Sequence, residues 1–184
     1  MTRICIILQF RFVRWTVSMD ADSNSFPQFL DEFEQTLEST ASRLLSLTEE
    51  QIHEDLGEDK WTRKQILGHL IDSAANNHQR FVRAQFNNAL VFPGYEQERW
   101  VDVQHYNDAD WSQLVQLWRL YNLHLAHLAS FISPEVLRGE RAEHNLDVIA
   151  WQSVDKTEPV TLEYFIRDYA GHMRHHLNQI FKSA

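Results

Sequence analysis

Two histidines near the C-terminus, His172 and His176, lie four residues apart. On an α-helix this spacing places both side chains on one face, one turn apart. Two imidazoles in this arrangement can chelate a single metal ion, as they do in helical zinc motifs. Because histidine pairs are common on helices, the spacing alone is weak evidence for a metal site.

The apolar pattern around the pair predicts where these side chains point. At about 100° per residue, the apolar residues of the segment form one stripe. The stripe consists of Leu162, Phe165, Ile166, Tyr169, Met173, Leu177 and Ile180. His176 falls inside it and His172 on its edge, whereas His175 falls outside. A buried imidazole needs partners for its ring nitrogens, so the pair either forms hydrogen bonds in the core or ligates a metal.

A third histidine, His69, belongs to a polar stripe on an earlier segment. Asp72, Ser73, Asn76 and Arg80 follow it at helical spacing. Such a stripe is either a solvated helix face or the wall of a polar cleft, and periodicity does not separate the two. In the cleft interpretation His69 is a third ligand, and Asp72 and Asn76 are candidates for orienting a ligand imidazole or a substrate.

Four long helices are predicted to position these residues. Only 5 glycines and 4 prolines occur in 184 residues, which favours long helices over a β-sandwich. Apolar periodicity predicts helices over about 26–47, 62–86, 108–133 and 161–181. Residues 134–160 are expected to form an irregular crossover that has room for a short helix. The fold class predicted is therefore all-α, a four-helix bundle with a long crossover connection.

Local signals mark where three of these helices begin. Ser25 precedes the first helix as a candidate N-cap. Thr62 and Gln65 have the spacing of a capping box at the start of the second helix. Thr161 is a candidate N-cap for the last helix.

Composition excludes several kinds of partner. The formal net charge of −9 argues against nucleic acid and against an anionic membrane surface, because both are recognised by basic groups. The chain has 1 cysteine, Cys5, so it forms no intrachain disulfide, and we predict a reducing, cytoplasmic location.

The first 18 residues differ from the rest of the chain. They contain Arg3, Arg11 and Arg14 but no acidic residue. We expect residues 1–18 to be an extension that precedes a native start at Met19, or else an arm that packs on a partner chain, and we favour the former. Residues 19–184 are predicted to form one metal-binding domain.

Three segments carry a pattern that is found in a known protein family. They are residues 60–73, with Lys-Trp-Thr and His-x-x-Asp-Ser; residues 93–100, with Pro-Gly-Tyr-Glu and Trp100; and residues 160–176, which end in His-x-x-x-His. Together they resemble the DinB-like family, and within it the YfiT-like branch, over residues 25–181. The resemblance implies a four-helix bundle that binds a divalent metal ion, zinc or nickel, through His69, His172 and His176.

Three neutral imidazoles leave coordination positions open, which is typical of catalytic zinc sites. The resemblance implies a hydrolase in which the metal activates a water molecule. One alternative, also implied by the family, is transfer of a low-molecular-weight thiol to an electrophile. Another is a bundle that binds a metal or senses a ligand without catalysis.

Further expectations concern the loop residue Tyr95 and the partners of the protein. Tyr95 is a candidate catalytic residue because it could line the mouth of a pocket. We expect a small-molecule substrate, no nucleic acid and no membrane. The apolar third helix and the resemblance both favour a homodimer.

Overall fold

The computed structural model describes residues 25–54, 56, 57 and 60–182. Its helices are α1 (Phe26–Leu45), α2 (Glu49–Ile52), α3 (Arg63–Arg83), α4 (Gln97–Val103), α5 (Trp111–Ser130), α6 (Pro134–Arg138), α7 (Leu146–Ile149) and α8 (Leu162–Phe181). A 3-10 turn, Tyr106–Asp108, separates α4 from α5. The long helices α1, α3, α5 and α8 form the predicted all-α bundle. Residues 1–18 and Met19 lie outside the described ranges, so the domain boundary stays a prediction.

The predicted start signals operate at α3 and α8. The Thr62 hydroxyl accepts the backbone N–H of Gln65 at 3.2 Å, and the Gln65 side chain accepts the N–H of Thr62 at 3.0 Å. The Thr161 hydroxyl accepts the N–H of Tyr164 at 3.1 Å. These bonds satisfy amides that otherwise have no partner in the first turn. Ser25 stands at the predicted position before α1, but its side chain makes no capping bond.

The third long helix begins later than predicted. Asp110 caps α5 by accepting the N–H of Gln113 at 2.9 Å, so the helix starts at Trp111. The residues before it form the 3-10 turn instead of a helical turn. At the other end of α3, Gln85 and Phe86 make hydrogen bonds three residues back along the chain, which tightens and closes the helix after Arg83.

The long helices pack in a defined order around one core. α3 packs against both α5 and α8, and α1 packs against α5. All four helices contribute side chains around Phe33, Phe81, Leu125 and Tyr169. On the outer side of α5, Leu117 and Leu120 are exposed, and the predicted homodimer stays a prediction. No helix in residues 25–54 or 60–182 has the apolar length that a membrane crossing requires.

Backbone hydrogen bonds join the crossover between α5 and α8 to the connection between α3 and α4, and hold the two ends of the crossover together. Leu90 donates its N–H to Glu143 at 2.9 Å, and Arg141 and Val160 exchange two bonds at 2.8 and 3.1 Å. Within this crossover lie the short helices α6 and α7. The segment after α7 rests on α8, where Gly171 leaves room for the Trp151 ring: an added Cβ would lie 2.9 Å from it. This contact builds one wall of the pocket described next.

Candidate metal centre and pocket

Three histidines meet where α3 packs against α8. His69 comes from α3, and His172 and His176 come from successive turns of α8. One ring nitrogen of each lies within 4.8 Å of the other two, and the Nε2 atoms of His69 and His172 are 3.2 Å apart. Among the described residues, these three histidines form the group of His, Cys, Asp or Glu side chains whose ligand atoms lie close enough together to hold one metal ion.

This geometry fits a single divalent ion. Two imidazole nitrogens bound to the same tetrahedral zinc lie about 3.3 Å apart, given the usual zinc–nitrogen distance. The observed separation between His69 and His172 is 3.2 Å. The Nδ1 atom of His176 is engaged by Gln179 Oε1 at 2.8 Å, which leaves Nε2 of that ring for the cluster. The donor set is three imidazoles, which suits zinc, nickel, copper or iron.

Burial keeps the three rings neutral. It is the main reason that the pKa of His69 is lowered to about 4, with the charge on His176 adding to the effect. It also lowers the pKa of His172 to about 3, again with contributions from the neighbouring histidines. The pKa of His176 is lowered chiefly by burial. At neutral pH the nitrogens therefore carry the free lone pairs that metal ligation needs.

The His69 side chain, on α3, is fully buried beneath neighbouring residues. It is 0% exposed, so the polar stripe that begins there is a buried wall and not a solvated face. The Trp61 ring packs over it with a centroid separation of 5.0 Å and lies 6.5 Å from the His176 ring. The Nδ1 atom of His69 has no hydrogen-bond partner among the described residues. His69 thus forms the closed back of the cluster.

Asp72 lies one turn from His69 and is held by residues that sequence reasoning did not identify. Its Oδ1 accepts hydrogen bonds from the Tyr106 hydroxyl and the Gln104 amide, each at 2.7 Å. Its Oδ2 is buried without a partner among the described residues. Burial raises the pKa of Asp72, although both hydrogen bonds act to lower it. Tyr106 can approach because Gly68 has no side chain: a Cβ there would lie 2.1 Å from the ring.

The other two predicted candidates, Asn76 and Tyr95, have different surroundings. Asn76 donates its amide to the backbone carbonyl of Asp72 at 2.9 Å and is not part of the pocket lining. Tyr95 does line the pocket, and its ring packs against Trp100 at 5.1 Å. Burial, reinforced by the charge of Asp72, raises the pKa of Tyr95 to about 12. The Tyr95 phenol is therefore a neutral hydrogen-bond donor at neutral pH.

A pocket of about 450 Å³ opens beside the cluster. His172 and His176 form part of its wall, whereas His69 lies behind them. Its other polar and aromatic lining residues include Ser73, Asn77, Arg80, Tyr95, Asp168 and Tyr169. A volume of this size accommodates a small organic molecule. The pocket therefore gives such a molecule access to two of the three histidines.

The chain is thus a four-helix bundle in which three histidines converge beside one pocket. The sequence profile of the DinB superfamily matches residues 32–180, and the chain is a member of that superfamily. The resemblance drawn from the sequence is thus confirmed.

A protein from Bacillus subtilis (strain 168) is similar along most of its length. It is named "Putative metal-dependent hydrolase YfiT", and it is 25% identical over 155 residues, which cover 82% of this chain and 81% of that protein. The structure of YfiT has been described as "a probable metal-dependent hydrolase with an unusual four-helix bundle topology". It matches with a TM-score of 0.65 and 22% identity over 87% of each chain, which supports the fold.

Proposed function

We propose that this protein is a metal-dependent hydrolase that holds one divalent ion, zinc or nickel, with His69, His172 and His176. The observation that carries the proposal is the convergence of three imidazole nitrogens within 4.8 Å at the wall of a pocket. The name and description of the related YfiT support the same reaction class.

The ion, when bound, would act as a Lewis acid and lower the pKa of a water molecule toward neutrality. Each histidine would have a distinct task. The enclosed His69 would anchor the ion from behind, and His172 and His176 would hold it at the edge of the pocket. Gln179 would accept the Nδ1–H of His176 and so fix the tautomer that presents Nε2.

Of the three candidate residues, Tyr95 would act on the substrate. Tyr95 faces the pocket as a protonated phenol and would donate a hydrogen bond to a substrate oxygen. Asp72 is 3% exposed and lies outside the pocket lining, so it would act by orienting the ligand His69 one turn away and not by contact with the substrate. Asn76 would act indirectly, by bracing the α3 turn that carries Asp72.

Metal content tests the ligand assignment. We expect about one zinc or nickel ion per chain in the wild-type protein, and a loss of about tenfold or more in affinity in His172→Ala and His176→Ala, because each removes one of three ligands. His175→Ala is the matched control: it lies on the same turn, is exposed, and should retain the metal. Unchanged metal content in both ligand variants would overturn the assignment.

Turnover tests the reaction. A panel of small esters and amides should be hydrolysed by the metal-loaded protein, and activity should disappear with a chelator and return with added metal. The same panel with a chlorinated aromatic electrophile and a low-molecular-weight thiol separates the alternatives. Turnover that requires the thiol would indicate group transfer instead of hydrolysis. Stabilisation by metal without turnover on either panel would indicate a non-catalytic site.

A further inference from the structure

The pocket contains a buried cation that the metal chemistry does not use. Arg80, on α3, is 6% exposed and lines the same pocket as His172 and His176. Its guanidinium donates to Asn77 Oδ1 at 3.3 Å and to the Pro93 carbonyl at 3.1 Å. A guanidinium has five N–H donors, so most of its hydrogen-bonding capacity is not used by these two neutral acceptors.

No carboxylate in the described ranges forms an ion pair with Arg80. The nearby acidic group of the pocket lining, Asp168, is engaged elsewhere: its two oxygens accept the backbone N–H groups of Trp151 and Gln152 at 2.9 and 2.8 Å. A buried charge without a counter-ion is costly, and proteins normally pair it. The pairing partner of Arg80 is therefore to be sought in a molecule that enters the pocket.

Arg141, another buried arginine of the described residues, also forms no ion pair there, but more of its donors are bonded and it lies away from the pocket. Arg141 is 9% exposed and donates to three backbone carbonyls, those of Ala84, Val136 and Gly139. None of those acceptors belongs to the pocket lining. Arg141 and Arg80 are both buried, but of the two only Arg80 has unused donors in the lining of the pocket.

We propose that Arg80 binds a carboxylate of the substrate, at the end of the pocket opposite the three histidines. This inference rests on the proposed function, because it treats the pocket as the substrate site. His69 and Arg80 are separated by three turns of α3, about 16 Å along the helix axis. The Arg80 side chain leans back toward the histidines, since helical side chains point toward the N-terminus.

A carboxylate fits better than a phosphate. One negative charge neutralises the one guanidinium, whereas the second charge of a phosphate monoester dianion would meet no further arginine or lysine among the described lining residues beside Arg80. The planar fork of the guanidinium also matches the two oxygens of a carboxylate. The aromatic rings of Tyr95, Trp151 and Phe165 would contact the carbon skeleton between the carboxylate and the reacting group.

Binding of matched probes tests this inference. Phenylacetate, 3-phenylpropionate and 4-phenylbutyrate are each compared with their primary amides by calorimetry on the metal-loaded protein and again after chelation. We expect at least one carboxylate to bind about tenfold more tightly than its amide in both forms, because it gains charge-assisted hydrogen bonds. Equal affinity for every acid and amide would overturn the inference.

Variants of Arg80 test whether this residue causes the preference for carboxylates over amides. Arg80→Met should reduce the acid-to-amide ratio to about one, and Arg80→Lys, which keeps the charge but loses the fork, should give an intermediate ratio. Arg83→Met is the control, since Arg83 is exposed on the same helix and should leave the ratio unchanged. An unchanged ratio in either folded Arg80 variant would contradict the inference.

The metal measurement keeps the two proposals separate. Arg80→Met should contain as much metal as the wild type, because Arg80 is not among the three histidine ligands. If the wild type binds no metal but still prefers carboxylates, the metal site fails and the carboxylate subsite stands. If it binds metal and the preference disappears on chelation but survives in Arg80→Met, the carboxylate binds the ion and the Arg80 inference fails.

Discussion

The two ends of α3 each bury an arginine, and the two are bonded very differently. Arg63, 3% exposed, donates to the carbonyls of Ile180 and Gln51 and forms an ion pair with Glu54 at 2.8 Å. Arg80, 6% exposed, makes two long bonds to neutral acceptors. Arg63 connects α2, α3 and α8, whereas Arg80 faces a pocket. The comparison suggests that buried polar groups at the first end serve stability and those at the second end serve binding.

The largest expected effect tests this contrast directly. Arg63→Met should lower the free energy of unfolding by about 3 kcal/mol, because it removes a buried donor from two backbone carbonyls and the ion-pair partner of a carboxylate. Arg80→Met should change it by less than about 1 kcal/mol, because little bonding is lost. Urea unfolding of both variants measures the difference. Equal losses would mean that the two ends of α3 do not differ in the way proposed.

Metal loading should raise the free energy of unfolding by a similar amount. At a free metal concentration about one hundred times the dissociation constant, linkage gives about 2.7 kcal/mol. The wild type and Arg63→Met should both gain this stability, and His172→Ala, with an affinity at least about tenfold lower, should gain about 1.4 kcal/mol or less. Melting curves with added zinc or nickel, and with chelator, provide the measurement. A gain of full size in His172→Ala would remove that residue from the ligand set.

Acidification should weaken the metal-free protein through the same histidines. The pKa values of His69 and His172 are about 4 and about 3 in the fold, below the usual 6.5. Between about pH 6.5 and pH 4 the unfolded chain therefore binds more protons, and stability falls as the pH falls. Because both rings bind almost no proton in the fold down to about pH 5.5, linkage gives a loss of about 2 kcal/mol between about pH 6.5 and pH 5.5.

The matched variant for this experiment is His172→Gln. Its unfolding free energy should depend less on pH over the same range than that of the wild type. The raised pKa of Asp72 acts in the opposite direction and is common to both proteins, so it cancels in the difference. Identical pH profiles for the two proteins would contradict the lowered pKa of His172.

The smallest effect concerns the support of Asp72. Tyr106→Phe removes the 2.7 Å hydrogen bond to Asp72 but keeps the ring that packs on Gly68. We expect a loss of about 1 kcal/mol, since Gln104 still bonds the carboxylate. Metal content should not change. A loss as large as that of Arg63→Met would place Asp72 among the groups that hold the bundle together.

Much of the fold could be predicted because its signals are local. The capping box of Thr62 and Gln65 and the cap at Thr161 depend on residues three positions apart, and both formed as expected. The spacing of His172 and His176 also determined that they share a face of α8. The start of α5 was missed because Asp110 makes the cap, and nothing in the local pattern ranked it above Asp108.

The site depended on contacts between distant segments. Tyr106 reaches Asp72 over 34 positions of sequence, and Trp151 reaches α8 from a crossover with no strong periodicity. Gly68 and Gly171 allow the Tyr106 and Trp151 rings to approach the helices closely. A glycine inside a helix does not, however, predict which aromatic ring will pack against it. The pocket wall could therefore not be assembled from periodicity.

The sequence by itself determined four helices, their main caps and the pairing of His172 with His176 on one helical face. Only the tertiary structure decided that the polar stripe of His69 and Arg80 is buried, that His69 lies against α8 and that Arg80 lines the pocket. The physical reason is that helical periodicity states which residues share a face. Which neighbour covers that face depends on how the helices pack, and here the packing buried a histidine cluster and, three turns away on α3, an arginine that lines the same pocket.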